Sequence, residues 1–381
     1  MMRLGIVNHH GGKPAGAEQV LSLLLRRLPS EIAPVLFFFE EGQFTDMMRE
    51  RYGSEAVFVL AMSDRMSNAT RTELRGNAIW DTLILAKRVA DAFRRERIDV
   101  VLTNSMKAHV VGSLAAKAAG RPCINYMHDA LSGSARLIVR EISRYCGVER
   151  LACSHMIDKT LGLARTTVVH PPIDLAEYRD LPSRAQARAA LGLPNDGLPL
   201  VALIGRILRW KGQDRFIRIA ARVLRETDAH FAIVGGAIFG GDADYPQELH
   251  DLVAKEGLQG RVHFVPWQED MRNAYAAIDI ACNCSTREPF GLTTVEALAC
   301  EVPVVCFDDA GVCEVFEQDR GGSKVSAGDE NAFAAALLAY LRDPAGMAQA
   351  RAHAREAAKQ LDVGRISGLF NDVVSRVGAA C

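Results

Sequence analysis

Residues 284–302 read Cys-Ser-Thr-Arg-Glu-Pro-Phe-Gly-Leu-Thr-Thr-Val-Glu-Ala-Leu-Ala-Cys-Glu-Val, and the fold can be worked out from this stretch outward. Apolar runs at 278–281 and 303–307 flank it, and each run predicts a buried strand. Between the two runs, a turn is followed by the start of a helix. A strand, a helix and a second strand form the unit from which parallel sheets are built, so the sequence predicts the α/β class.

The turn inside this stretch has the features of a ligand site. Pro289 ends regular structure, and Gly291 lets the backbone approach a ligand closely. The first turn of the next helix offers unpaired N–H groups, which suit anionic or hydroxyl-rich ligands. Glu288 then lies at the carboxyl end of a strand, where open α/β sheets bind ligands. Two other interpretations stay open: a capping box formed by Thr293 and Glu296, and a solvated loop acid at Glu288.

Length and composition limit the class of protein. A chain of 381 residues predicts two domains, each with its own core. The 45 Lys and Arg residues against 46 Asp and Glu residues leave a net charge of −1, which argues against a basic field that recruits nucleic acid. No apolar run is long enough to span a bilayer, and the apolar start is too short for a signal peptide, so we expect a cytoplasmic protein.

The glutamate stretch resembles the Glu-x7-Glu signature of the retaining glycosyltransferases of family 4. The resemblance is carried by Glu288-Pro289-Phe290-Gly291, by Glu296-Ala297-Leu298-Ala299 and by Pro303-Val304-Val305. It extends over most of the chain. It implies an α/β protein of the GT-B type, with two facing Rossmann-like domains and a cleft between them.

The chain has the internal repeat that such a fold requires. A strand, a glycine-containing loop and an amphipathic helix open the sequence and recur from residue 200. A connector at 175–198, rich in Arg, Ala and Pro, separates the two halves. We therefore predict an acceptor-binding N-terminal domain at 1–185, a donor-binding C-terminal domain at 195–360, and a final helix at 361–381 that crosses back to the first domain.

The second strand-loop-helix unit carries cations suited to a diphosphate. Arg206 offers a planar fork of donors and Lys211 a point charge. Gly-Arg followed by Lys-Gly also matches the phosphate-binding loop of the family, whereas Arg209 lies outside that pattern. The other donor contacts that the resemblance implies are Glu288, Phe290, Gly291 and Leu292 for the sugar, Glu296 for the ribose, and Val265 and Trp267 for the base.

The first half supplies the remaining site residues. Gly16-Ala17-Glu18 matches the usual Gly-Ala-Glu of the family, which implies that Gly12 and Gly16 lie against the donor diphosphate; a flexible surface loop is the alternative. His128 follows a buried strand and precedes a polar loop, where family members place a histidine that hydrogen-bonds the transferred sugar. Asn104 lies in a loop that resembles one lining the family's cleft.

The resemblance implies a retaining glycosyltransferase with Glu288 and His128 as catalytic residues. It would move a sugar from a nucleoside diphosphate sugar to a hydroxyl of a glycan, glycolipid or small molecule. We predict no cofactor and no metal, because the one Asp-x-Asp motif considered, at 242–244, lies in a glycine-rich loop. Two alternatives stay open: a GT-B nucleotide-sugar epimerase, and a non-catalytic nucleotide-sugar-binding subunit of a larger complex.

A basic helix face raises the question of a membrane. Arg136, Arg140 and Arg144 recur at i, i+4 and i+8. A solvated face is one interpretation. Because many family members act on lipid-linked acceptors, we also hypothesise peripheral contact with the inner face of the membrane.

Two positions depart from the family pattern. Glu301 stands where the family generally has glycine, and a left-handed backbone there would cost glutamate about 1 kcal/mol. Cys313 replaces a common proline. Neither is a matched site residue, so we expect a change in loop shape but not in function.

Overall fold

The computed structural model describes residues 1–63, 76–162, 166–237 and 243–379. They divide into two compact units, one formed by Met1–Pro172 with Val363–Cys381 and the other by Ile173–Asp362. Each unit contains one sheet whose strands all pair in parallel, which confirms the α/β prediction.

The first unit has a seven-stranded sheet in the order β3-β2-β1-β4-β5-β6-β7. The strands are β1 Met2–Asn8, β2 Ile32–Phe38, β3 Val57–Val59, β4 Val100–Thr103, β5 Cys123–Met127, β6 Glu149–Ala152 and β7 Thr166–Val168. The helices are α1 Gly16–Leu25, α2 Gln43–Tyr52, α3 Gly76–Arg95, α4 Met106–Ala119, α5 Gly133–Cys146 and α6 His155–Leu161. Strands β4 and β5 are buried throughout, as expected where helices cover both faces of a parallel sheet.

The second unit has a six-stranded sheet in the order β10-β9-β8-β11-β12-β13. The strands are β8 Leu200–Ile204, β9 His230–Val234, β10 Val262–Val265, β11 Ile280–Asn283, β12 Val304–Phe307 and β13 Gly322–Val325. The helices are α7 Arg184–Ala190, α8 Gln213–Val223, α9 Tyr245–Lys255, α10 Arg272–Ala277, α11 Leu292–Ala299, α12 Glu330–Arg342 and α13 Pro344–Lys359. Short 3-10 helices occur at Arg209–Lys211, after β8, and at Gly311–Glu314, after β12.

The connector belongs to the second unit. The N–H of Ile173 donates to the carbonyl of Leu361 at 2.9 Å, so residues 173–185, which the sequence prediction places in the first domain, group with the second. Arg188 of α7 is fully buried and lies 3.0 Å from the carboxylate of Asp279. A buried guanidinium needs such a partner, and the pair attaches the connector to the second sheet.

The last helix, α14 (Val363–Ala379), groups with the first unit. The ring of Phe370 lies 6.4 Å from that of Tyr126 on β5, and Arg376 lies 3.0 Å from Glu149 at the start of β6. Apolar packing of this helix on the first sheet, rather than on its neighbours in sequence, therefore decides its place.

Each sheet has one point at which the strand order reverses. In the first sheet it lies between β1 and β4, and in the second between β8 and β11. Loops that leave the carboxyl ends of two such strands run in opposite directions and open a crevice, which is where α/β sheets bind ligands. The residues described next follow these strands.

Glu301, two residues beyond the end of α11, has a φ of 61°. Glycine adopts this left-handed conformation without a Cβ penalty, so Glu301→Gly should raise the free energy of unfolding by about 1 kcal/mol in urea denaturation. The matched control is Glu301→Ala, which keeps the Cβ but removes the carboxylate that lies 3.8 Å from Arg355; we expect no gain from it. A glycine variant no more stable than wild type would contradict the prediction.

Candidate functional site

Glu288 lies in the turn between β11 and α11, and its side chain is 7% exposed. The ammonium nitrogen of Lys211 lies 2.6 Å from its Oε2, and the hydroxyl of Ser285 donates to the same oxygen at 2.7 Å. Lys211 itself is 15% exposed. The interpretation of Glu288 as a solvated loop acid is therefore wrong, since the residue forms a buried ion pair.

Gly212 explains how Lys211 reaches this position. Its φ is 74°, and a Cβ at this residue would clash with the carbonyl oxygen of Cys284. Only glycine allows the loop to pack directly against the backbone at the end of β11. The Lys-Gly pair in the sequence thus places the ammonium beside the turn that carries Glu288, which we call the acid turn.

Arg206 follows β8 on the same loop and is half-buried. Its carbonyl accepts a hydrogen bond from Gln213 at 2.8 Å. Among the residues that the structure describes, none forms a hydrogen bond or ion pair with the guanidinium of Arg206. Arg209 differs, because it forms two hydrogen bonds to Glu248 at 2.7 and 2.5 Å. The loop therefore presents Arg206, but not Arg209, as a cation open to a ligand.

Helix α11 starts directly after the acid turn. Its N-terminal cap is Gly291, with a φ of 89°, and a Cβ there would lie 2.8 Å from the hydroxyl of Thr294. The hydroxyl of Thr293 donates to the carbonyl of Ile204 at 3.0 Å, so it does not cap the helix. The capping-box interpretation of Thr293 and Glu296 is therefore wrong.

Glu296 instead accepts a hydrogen bond from the hydroxyl of Tyr275, and the hydroxyl of Tyr178 also influences the pKa of its carboxyl. The two tyrosine rings lie 6.1 Å apart. Burial raises the pKa of the Glu296 carboxyl to about 7, although both hydroxyls oppose that shift. Sequence reasoning did not place the tyrosines beside Glu296. Tyr178 belongs to the connector and precedes Glu296 by 118 residues in the sequence.

A cavity of about 150 Å³ adjoins the ends of β9 and β10. It is lined by Ile207, Ile233, Gly235, Pro246, His250, Phe264, Val265 and Pro266. The ring of His250 lies 4.0 Å from that of Phe264. Of the two residues predicted to bind the base, Val265 lines this cavity, whereas Trp267 is 37% exposed and is not among the lining residues. A mostly apolar cavity of this kind suits an aromatic ring.

In the first unit, His128 follows β5 and is half-buried. Its Nε2 lies 3.0 Å from Oδ1 of Asn104, which follows β4, and its ring lies 4.1 Å from that of Tyr126. Burial lowers the pKa of His128 to about 3, so the imidazole is neutral at pH 7. The structure thus brings His128, which follows β5, together with Asn104, which follows β4 at the switch point of the first sheet.

The glycine loop after β1 is held by backbone hydrogen bonds. The carbonyls of Gly11 and Gly12 accept from the N–H of Phe44 at 2.8 and 3.0 Å. Gly16 begins α1, and the buried carboxylate of Glu18 accepts from the N–H of Ala15 at 3.1 Å. The alternative of a flexible surface loop does not fit these contacts, because they attach the loop to the start of α2.

Residues 184–361 match the family described as glycosyl transferases group 1. The matched residues include Arg206, Lys211, Glu288 and Glu296, on which the sequence resemblance rested. They cover the second sheet and its helices but exclude α14. This part of the chain is therefore similar to that family.

Curated relatives are similar to this chain over part of their length. The chain is 34% identical over 219 residues to D-inositol 3-phosphate glycosyltransferase 2 of Catenulispora acidiphila, covering 56% of this chain and 51% of the relative. It is 38% identical over 200 residues to D-inositol 3-phosphate glycosyltransferase of Mycobacterium bovis, covering 51% of this chain and 40% of the relative. The chain thus spans about half the length of the curated relatives it matches.

A solved structure is similar over the full length. The crystal structure of Anabaena HepE in complex with UDP-glucose has a TM-score of 0.82 and 26% identity, and covers 99% of this chain and 100% of the other. With the two parallel sheets, this similarity confirms the GT-B type of α/β fold.

Two further properties concern membranes and metals. Within the described ranges, no helix combines the length and apolar character needed to cross a bilayer. In the same part of the chain, no group of three or more His, Cys, Asp or Glu side chains is arranged to hold a metal ion. Asp242, from the motif at 242–244, lies outside the described residues.

Proposed function

We propose that this protein is a retaining, metal-independent glycosyltransferase that moves a hexosyl group from a nucleoside diphosphate sugar to an acceptor hydroxyl. One observation carries the proposal: Lys211, which forms a buried pair with Glu288, lies on the same loop as Arg206, whose guanidinium has no ion-pair partner among the described residues. The cations of Lys211 and Arg206 suit a diphosphate, and the carboxylate of Glu288 suits the hydroxyls of an attached sugar. The similarity to HepE, which was crystallised with UDP-glucose, supports the same ligand class.

The diphosphate contacts supply the main catalytic effect in this proposal. As the bond from the anomeric carbon to the diphosphate oxygen breaks, negative charge grows on the leaving group. Arg206 and Lys211 stabilise that charge, and cations placed in advance do this without reorganisation. They take the part that a metal ion has in other transferases, so we propose that the reaction needs none. Gly12 and Gly16 complete the diphosphate site.

The other assignments follow from the position of each group. Glu288 and the backbone of Phe290, Gly291 and Leu292 hold the sugar at the start of α11, where the N-terminal N–H groups point outward. His128 hydrogen-bonds the transferred sugar. The nucleoside contacts are Glu296 for the ribose, and Val265 and Trp267 for the base.

A thermal-shift screen with UDP-, GDP-, ADP- and TDP-sugars tests the proposal. A ligand that binds only the folded state raises the melting temperature, and UDP-glucose is the first probe. Transfer to an added hydroxyl acceptor, with the anomeric configuration of the product read by NMR and with EDTA present, tests the reaction. Conversion of the donor sugar without an acceptor would indicate an epimerase, and binding without turnover would indicate a non-catalytic subunit.

Donor affinity should depend on pH through Glu296. The ribose hydroxyls donate to its carboxylate, so the donor binds the deprotonated form, and the pKa of about 7 in the free protein places the change near neutrality. We expect affinity for UDP-glucose to rise about tenfold from pH 6 to pH 8 in calorimetry.

The stability of the folded protein changes with pH in the opposite direction to donor affinity. The carboxyl has a higher pKa in the folded than in the unfolded chain, where it is near the ordinary 4.5, so its contribution to stability is lost as pH rises from 4.5 through 7. Glu296→Gln should remove both pH dependences. A wild-type affinity that is flat over this range would exclude Glu296 as the ribose acceptor.

We also propose that the protein is cytoplasmic, that it contacts the membrane peripherally and that its acceptor is lipid-linked. On α5, Arg140 and Arg144 lie 2.9 and 3.7 Å from Glu141, so this face is less basic than its arginine spacing alone implies. Leu137 on the same helix is 50% exposed. Co-sedimentation with anionic liposomes, weakened in Arg136→Ala/Arg140→Ala, is the expected result, and no sedimentation would exclude membrane contact.

A further inference from the structure

A chain of hydrogen bonds leads from the switch point of the first sheet to His128, which follows the neighbouring strand β5. Asn8 ends β1 and Asn104 follows β4, and both side chains are fully buried. The amide nitrogen of Asn104 donates to the amide oxygen of Asn8 at 3.4 Å. The amide oxygen of Asn104 lies 3.0 Å from Nε2 of His128.

Fixed acceptors decide which way each amide points. The amide nitrogen of Asn8 lies 2.7 Å from the carbonyl oxygen of His10 and 3.3 Å from a carboxylate oxygen of Glu18. The amide nitrogen of Asn104 lies 3.2 Å from the carbonyl oxygen of Ala17. Carbonyl and carboxylate oxygens accept hydrogen bonds, so a flipped amide at either position would set oxygen against oxygen.

The orientation of Asn104 then decides the state of the imidazole. Both hydrogens of its amide are used by Asn8 and Ala17, so it offers His128 only an oxygen. The ring must donate from Nε2, and in a neutral imidazole the lone pair is then on Nδ1. Among the residues that the structure describes, none hydrogen-bonds Nδ1 of His128. We infer that Asn104 is a positioning residue that holds His128 in the Nε2–H tautomer, so that Nδ1 accepts a hydrogen bond from a hydroxyl of the transferred sugar.

This inference rests on the proposed function for its ligand, although the tautomer itself does not. The direction of the hydrogen bond selects the substrate. A sugar hydroxyl that gives its hydrogen to Nδ1 fits, whereas a deoxy position leaves Nδ1 without a partner. Sites built to hydrogen-bond a hydroxyl discriminate strongly against analogues that lack it.

The tautomer can be measured without any activity. In the full chain labelled with 15N-histidine, a two-bond proton–nitrogen correlation spectrum at pH 7.5 distinguishes the tautomers, and His128→Gln assigns the signal. We expect a protonated Nε2 and an unprotonated Nδ1. A protonated Nδ1 in the wild-type protein would overturn the inference, and this result does not depend on any variant folding.

Substitution then tests the part played by Asn104. Asn104→Leu should mix the two tautomers of His128. The matched control is Asn125→Leu: Asn125 is an equally buried amide that hydrogen-bonds Ser143 at 3.3 Å and lies outside this chain of contacts. The control should keep the Nε2–H signal. An unchanged tautomer in Asn104→Leu would overturn the positioning role.

Kinetics with monodeoxy UDP-glucose donors test the sugar contact. Asn104→Leu should lower kcat/KM for UDP-glucose about 10- to 100-fold, in the range for the loss of one buried hydrogen bond. For the wild type, kcat/KM with one deoxy donor should be lower than with UDP-glucose by a similar factor. For Asn104→Leu, the same deoxy donor should cause little further loss, which shows that the two groups are coupled. If the loss from Asn104→Leu and the loss from removal of a sugar hydroxyl multiply for every deoxy donor, the hydrogen bond between the sugar and Nδ1 of His128 is excluded. If no nucleotide sugar is turned over, the proposed function fails, whereas the NMR result still decides the tautomer.

Discussion

Lys211→Met is expected to lower the free energy of unfolding by about 3 kcal/mol, and also to reduce transfer about 1000-fold. The loss of stability arises because the carboxylate of Glu288, which is 7% exposed, keeps its burial but loses its partner 2.6 Å away. The loss of transfer arises because a cation at the diphosphate is gone. Urea denaturation and initial rates with UDP-glucose measure the two effects separately.

The double variant Lys211→Met/Glu288→Gln separates them further. A neutral amide in place of the carboxylate removes the unpaired buried charge, so most of the lost stability should return, while transfer stays absent. Glu288→Gln alone should bind the donor nearly as well as the wild type but transfer it poorly. Lys87→Met is the control, because Lys87 is 80% exposed and its pair with Asp91 contributes little. Recovery of transfer in the double variant would exclude a catalytic role for both residues.

Arg206→Met should also reduce transfer, but it should leave the free energy of unfolding nearly unchanged. Because no described residue pairs with this guanidinium, its loss leaves no buried charge behind, and the free energy of unfolding should change by less than about 0.5 kcal/mol. The rate of transfer should fall about 100- to 1000-fold, as expected when one preorganised donor to the leaving group is removed. Stability and kcat/KM, measured on the same preparations, give the comparison.

The control for this second prediction lies on the same loop. Arg209 is already bound to Glu248 by two hydrogen bonds on an exposed surface, so Arg209→Met should alter neither transfer nor stability appreciably. Equal losses of transfer in the Arg206 and Arg209 variants would point to a general electrostatic effect of the loop. A wild-type rate in Arg206→Met would exclude this residue from the diphosphate site.

Local sequence patterns were sufficient for features that depend on neighbouring residues. The α/β class followed from two apolar runs on either side of the stretch at 284–302, and both are strands of the second sheet. Gly212 and Gly291 were recognisable because backbones with positive φ favour glycine wherever they occur. Residues 173–185 were assigned to the first domain because composition shows a connector but not the unit on which it packs.

The sequence by itself determined which residues we propose for the chemistry: the acids at 288 and 296, the cations at 206 and 211, and the histidine at 128 stand in local patterns of type and spacing. Only the tertiary structure decided how those groups are paired. Glu288 meets Lys211 across 77 positions of chain, and His128 meets Asn104 across 24. The reason is that parallel strands bring their carboxyl ends to one edge in an order set by the packing of the whole sheet, which no local window of sequence contains.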